Sequence, residues 1–338
     1  MITDLINACE WDAGAYIFFS QNVFSPLIYY SHLTPVFVSI IFGVYIYVAN
    51  KKSLLNKTLF FITIILSVWL LLDLILWATD SVQIIEFAWA VINLVEPIIY
   101  AAFVYFATIF VTGRDMPERA KVLLVLPLVP VVLLAGTHFN ILGFNLTNCD
   151  RELVEGPMAY YNYVIEILYS LWILVLGIIS AHTAKDNLTR IHTLWTVSFI
   201  LVLLLGFASG NILGTFSDNW ALGQFGLFVI PVCVGGLAYF IVQFRFAGNT
   251  KIAAAQMLLI GLWLAVGSIL FLQNIRYVHI IVGVTLAFLA LLGYMLLQSF
   301  KLEVRQRQEI EKLAANLEVI NKQQIVLIHF VTHQVKGF

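Results

Sequence analysis

Residues 59–79 read LFFITIILSVWLLLDLILWAT, and the only charge in the stretch is Asp73. A membrane-spanning helix needs about 20 predominantly apolar residues, so this segment is long and oily enough to cross a bilayer. Asp73 falls about two turns inside one end of it. Trp69 and Trp77 flank it at i±4 on the same face of the helix.

Eight more stretches of the same kind occur, at 25–49, 85–112, 121–138, 160–183, 191–212, 222–246, 252–272 and 278–298. Hydrophobic residues make up 61% of the 338 positions and charged residues only 11%, where a soluble domain carries about a quarter charged residues. The expected fold is therefore all-α, a polytopic bundle of nine transmembrane helices. Net charge is −1, so the total says little about partners, whereas its distribution says more. Lys51, Lys52, Lys57, Arg114, Arg119, Lys121, Lys185, Arg190, Arg245 and Lys251 sit in alternate loops, against Arg151 and Arg276 in the opposite ones. The positive-inside rule then places the N-terminus outside and the C-terminus in the cytoplasm. The acidic start (Asp4, Glu10, Asp12) gives no sign of a cleavable signal peptide. There is no Gly-rich phosphate loop and no basic-aromatic patch, so neither a nucleotide site nor a nucleic-acid partner is expected in these residues. Cys9, Cys149 and Cys233 have no metal-ligand spacing.

After Ser299 the composition changes. Charged and amide residues dominate from Lys301 to Lys322, while Ile310, Leu313, Leu317 and Ile320 recur in steps of three and four. One narrow apolar seam of that spacing pairs two helices in a coiled coil, which predicts a parallel homodimer. Past Ile325 the apolar residues spread over several faces, as in a helical bundle. The chain divides as an outer segment 1–24, seven helices over 25–246, two further helices over 247–298, a coiled coil over 299–331 and a last short region over 332–338.

That last region, Thr332-His333-Gln334-Val335-Lys336-Gly337-Phe338, resembles the H-box of bacterial sensor histidine kinases. The resemblance covers about fourteen residues from Ile325 and gains weight from its place after a membrane-exit coil. It implies that His333 is the phosphoacceptor and that Val335 and Lys336 fill the next two family positions. Gln334 replaces the usual acidic neighbour, and Gly337-Phe338 replaces the usual polar residue plus Pro, so neither a general base nor a helix kink carries over. The first seven spans are similar to the seven-helix input region of some of these kinases. The family implies ATP and Mg as cofactors of a catalytic domain beyond Phe338, a response regulator as partner, and the bacterial cytoplasmic membrane as location. Residues 1–338 alone would then be inactive. The alternative is a nine-span transporter or transporter-like receptor whose tail only oligomerises. No span holds the mid-membrane Lys that a retinal protein requires.

Ionisable residues at membrane depth are costly and point to function. Asp73, Glu96 and Glu166 are the candidates for sensing. Asn93 and Tyr100 share the face of Glu96, and Asn162 and Tyr169 that of Glu166; His32 lies in an outer half as well. Trp69, Trp77 and Tyr169 would supply apolar walls. Polar groups at one depth predict either an outward-opening cavity or interhelical glue. In a cavity, acidic anchors suit a cationic or hydroxyl-rich small molecule or a proton; a lipid stimulus acting through the bilayer is the other route. Cys9 and Cys149 both fall on the outer side, where they either form a disulfide or remain two free thiols. Gly206, Gly210 and Gly214 allow a close helix approach. Glu96-Pro97 and Ile230-Pro231 are expected to interrupt their helices.

Overall fold

A computed structural model of the chain describes residues 18, 20, 23, 26–79, 81–145, 152–184, 186–217 and 223–245, with Glu309, Leu313, Asn316, Leu317, Ile320, Asn321, Lys322 and Gln324 of the tail. Described in order are α1 (Pro26–Ala49), α2 (Leu54–Ala78), α3 (Val82–Thr112), α4 (Glu118–Val125), α5 (Leu128–Leu134), β1 (Ile141–Asn145), β2 (Glu152–Glu155), α6 (Pro157–Thr183), α7 (Asn187–Ser217), a 3-10 turn at Gln224–Phe228 and α8 (Val229–Arg245). Five of these helices are long and apolar enough to cross a membrane: α1, α2, α3, α6 and α7. Their outward faces are apolar too. Ile167, Leu168, Leu171 and Val175 stand exposed along α6, as do Leu194, Val202 and Leu205 along α7. Contiguous apolar exteriors of this size do not persist in water, so the bundle is membrane-embedded.

The helices pack in a closed circuit. α1 meets α2, α2 meets α3, α3 meets α6, α6 meets α7, α7 meets α8, and α8 returns to α1. Leu59, Ile62, Leu66, Leu70 and Leu74 of α2 and Ile99, Phe103 and Phe106 of α3 are fully buried within it. Local chemistry sets the helix ends. The Ser53 hydroxyl accepts from the Asn56 amide at 3.4 Å to begin α2, and the Asn56 side chain donates to the Ile46 carbonyl at 2.8 Å, tying α1 to α2. Gly113, at φ 70°, ends α3 in the left-handed conformation that glycine adopts without a steric penalty.

The expected span at 121–138 is not one helix. It breaks at Leu126-Pro127 into α4 and α5, which pack against α3, with α5 also against α6. Pro127 and Pro130 supply no backbone N–H and obstruct the preceding turn, so a continuous ladder cannot form there. Ile230-Pro231, by contrast, does not interrupt a helix: Pro231 lies in the first turn of α8, where an N–H would have no partner within α8 anyway. Pro97 does lie inside α3. Gly206 of α7 approaches the 3-10 turn so closely that a Cβ would meet the Gly226 carbonyl at 3.0 Å and the Val229 Cβ at 3.1 Å. Gly206 and Gly210 thus serve packing within this chain. The loop between α5 and α6 forms an antiparallel hairpin with Asn145 opposite Glu152 and Ile141 opposite Glu155.

The spans at 252–272 and 278–298, Cys9, Cys149 and the His333 motif lie outside the described residues. In the tail, which belongs to a separate compact unit, Leu313, Leu317 and Ile320 are helical and 62%, 66% and 52% exposed.

Candidate functional site

Pro97 begins the candidate site. A residue without an N–H at position 97 leaves the carbonyl four residues earlier, that of Asn93, without its helical donor. In lipid no water compensates, so a neighbouring helix must supply one. The Asn162 amide of α6 does so, donating to the Asn93 carbonyl at 2.9 Å. The Asn93 side chain in turn donates to Asn140 Oδ1 at 2.8 Å, and the Asn140 amide donates to the Ala135 carbonyl at 2.7 Å. Asn140 is fully buried at the foot of the hairpin, its own carbonyl accepting from the Gly156 amide at 2.9 Å. Three asparagines from α3, α6 and the connecting loop are thus sewn together.

One helical turn further along both helices lie Glu96 and Glu166. Each is only 5% exposed, and their carboxyls act on one another electrostatically. Glu166 Oε1 and Asn162 Oδ1 have no hydrogen-bond partner among the described residues. The cluster is therefore rich in acceptors, and the asparagine amides are directed elsewhere. Among the described residues no Lys, Arg or His acts on Glu166. An ionisable side chain buried at this depth of an apolar helix is costly, which singles out Glu166 as a candidate functional group. Tyr100 lies one turn beyond Glu96 and donates to the Leu204 carbonyl of α7 at 3.2 Å.

Asp73 does not join that cluster. It faces α1, where its Oδ2 lies 2.6 Å from His32 Nε2. His32 is completely buried, and its Nδ1 lies 2.6 Å from the Ile28 carbonyl and 3.0 Å from Ser31 Oγ. A carbonyl can only accept, so Nδ1 carries a hydrogen. The Nε2–Oδ2 link then holds one more proton, on either the imidazole or the carboxyl, and the pair is neutral in both arrangements. The two polar centres are joined by rings. Trp69, one turn from Asp73, packs on Phe207 of α7 at a centroid distance of 4.3 Å, and Phe207 lies 6.2 Å from the Tyr100 ring. Trp77 packs instead into the cluster of Val23, Ile28, Leu74 and Ala78.

Glu96, Glu166, Asn93, Asn162 and Tyr100 lie together where α3 meets α6, while Asp73 and His32 form a separate pair. Asn140 and the hairpin foot close over the carboxyl cluster. Tyr169, expected as a pocket wall, turns towards the broken fourth span and donates to the Leu124 carbonyl at 2.7 Å, as Tyr161 does to the Pro127 carbonyl at 2.9 Å. These two bonds satisfy carbonyls near the break that the prolines create. Asn140 was missed because a lone amide in a loop has no periodic signal. Asn93 could have been paired from sequence, since Pro97 frees its carbonyl.

A cavity of about 420 Å³ is present elsewhere, between α2, α3 and α4 at the end where Lys57 and Lys121 lie. There Lys121 Nζ is 2.9 Å from both Asp115 Oδ2 and Glu118 Oε1, and the Tyr105 hydroxyl donates to Asp115 Oδ1 at 2.7 Å. The Lys121 ammonium first, and the Tyr105 hydroxyl after it, hold the Asp115 carboxyl below the usual carboxylate range. Among the described residues no group of three or more His, Cys, Asp or Glu side chains could hold a metal ion, and Cys233 is a buried free thiol. Compared with protein-family models, curated proteins and solved structures, the chain matches none of them.

Proposed function

We propose that this chain is the membrane input region of a sensor histidine kinase, with nine spans, an outer N-terminus and a cytoplasmic coiled coil leading to His333. The observation that supports an input role most directly is the buried Asn93–Asn162–Glu96–Glu166 cluster at the α3–α6 contact, in which Glu166 Oε1 and Asn162 Oδ1 have no hydrogen-bond partner among the described residues. A proton or a cationic ligand group entering there changes the charge between two helices and so favours one packing over another. Such a ligand shifts the equilibrium only by its difference in affinity for the two arrangements. The exposed seam of Leu313, Leu317 and Ile320 supports dimerisation, because an apolar stripe of that spacing is buried by a second copy. Phosphoryl transfer from ATP to His333, and from there to a response-regulator aspartate, is the output the resemblance implies.

The test joins a histidine-kinase ATP-binding domain after Phe338 and follows acid-labile labelling from ATP in reconstituted membranes. Labelling is expected to be lost in His333→Gln and to change in rate in Glu166→Gln. Labelling retained in His333→Gln would refute the phosphoacceptor assignment, and an unchanged rate in Glu166→Gln would remove the cluster from signalling. The transporter reading draws on the same two carboxyls beside a Pro-containing helix. Proton- or sodium-driven uptake by proteoliposomes of residues 1–338, abolished by Glu166→Gln, would favour it instead.

A further inference from the structure

The cavity between α2, α3 and α4 is graded along the helix axes. Lys57 stands at one end in the first turn of α2, and Lys121 in the first turn of α4. One turn further in, its walls include Phe61 and Leu124, and α3 contributes Tyr105 towards the charged end and Ile98 and the small Ala102 further in. Because α2 and α4 start at the end where α3 finishes, every helix places its polar lining residue at that same end. Residues 51–57 and 114–121, around that end, carry six basic side chains (Lys51, Lys52, Lys57, Arg114, Arg119, Lys121) against two acidic ones, Asp115 and Glu118. Lys121 is already paired with both acids, whereas Lys57 is solvent-exposed at the mouth.

We propose that this groove binds one acyl chain of an anionic phospholipid, with the lipid phosphate on Lys57 and the chain running past Phe61 towards Ala102. The polarity of the groove matches that of a lipid in the adjoining leaflet: charge at the water boundary, hydrocarbon further in. Basic pockets between transmembrane helices at the positively charged side recognise anionic headgroups in this way. The volume, about 420 Å³, falls in the lower part of the ~300–1,000 Å³ range of ligand sites, room for part of a chain rather than a whole lipid. Phe61 and Val125 are half exposed at its sides, so the remainder of the lipid stays in the bilayer. The inference rests on membrane embedding and on the basic end of the bundle, not on kinase activity.

The experiment equilibrates the full chain with equal amounts of phosphatidylglycerol and phosphatidylcholine, then counts retained lipid by native mass spectrometry. Phosphatidylglycerol is expected to be retained preferentially, one molecule per chain. Lys57→Gln is expected to lower its retention about fivefold, the effect of one basic side chain at a membrane surface. Ala102→Leu, which fills the groove, should abolish retention; Val125→Trp, which fills it from the exposed wall, gives the same loss without entering the core. Arg190→Gln, an exposed basic side chain at the start of α7, should have no effect. Equal retention of the two lipids, undiminished retention in both groove-filling variants, or an Arg190→Gln loss as large as that of Lys57→Gln would overturn the proposal. Histidine labelling is read separately, so lipid retention with no labelling would count against the kinase reading alone.

Discussion

The bond between Asn162 and the Asn93 carbonyl exists because Pro97 has no N–H to offer, and a double-mutant cycle isolates that dependence. In the parent background, Asn162→Leu removes the donor and leaves a buried carbonyl unsatisfied. The expected loss from this bond is about 1–2 kcal/mol, between the membrane average for interhelical bonds and the cost of an orphaned acceptor. In Pro97→Ala the new N–H at position 97 closes the helical bond to the same carbonyl, so removing Asn162 leaves nothing unpaired. The coupling energy between the two substitutions is then about 1 kcal/mol or more. Asn162→Leu also removes Oδ1, an acceptor without a partner, and this gain offsets part of the loss in both backgrounds. It cancels in the cycle, which is why the cycle and not the single substitution carries the test. Reversible unfolding in mixed detergent micelles, followed by tryptophan fluorescence and circular dichroism, gives all four stabilities. A coupling within about 0.3 kcal/mol of zero would show that the Asn93 carbonyl does not depend on Asn162 and would refute the reasoning.

Two other outcomes follow from the same kind of argument. Asp73→Leu leaves His32 buried without its partner and is expected to cost about 3 kcal/mol, whereas His32→Leu combined with Asp73→Leu recovers most of that stability; equal losses in the single and double variants, measured by the same unfolding assay, would contradict the pairing. Cysteine at Leu313 is expected to crosslink two copies of the tail efficiently, and cysteine at Glu311, off the seam, poorly; equal yields would exclude the proposed register.

The chemistry of single residues was legible well before any tertiary contact. Asp73, Glu96 and Glu166 stand out because ionisable groups in apolar stretches are rare and expensive, and their i±3 and i±4 neighbours follow from helical geometry alone. Which of them meet was not legible. Depth along a helix is a one-dimensional quantity, and three carboxyls at similar depth can face three different neighbours. Asp73 turns to α1 and His32, while Glu96 and Glu166 meet across α3 and α6. The hairpin foot that places Asn140 over the cluster depends on contacts between residues far apart in sequence.

The sequence by itself determined that this is a helical membrane protein, because an apolar run as long as the bilayer is thick has few other stable states. It also determined where backbone groups would lack partners, since a proline at 97, 127 or 130 supplies no N–H whatever surrounds it. Tertiary structure alone decided how such groups find partners: Asn162 serves the carbonyl that Pro97 frees, and Tyr161 and Tyr169 bond the Pro127 and Leu124 carbonyls beside the break. It also decided that a groove with room for a ligand opens at the basic end of α2, α3 and α4. The physical reason is that a void depends on the sizes of side chains facing it from several helices at once, a relation no single helix encodes.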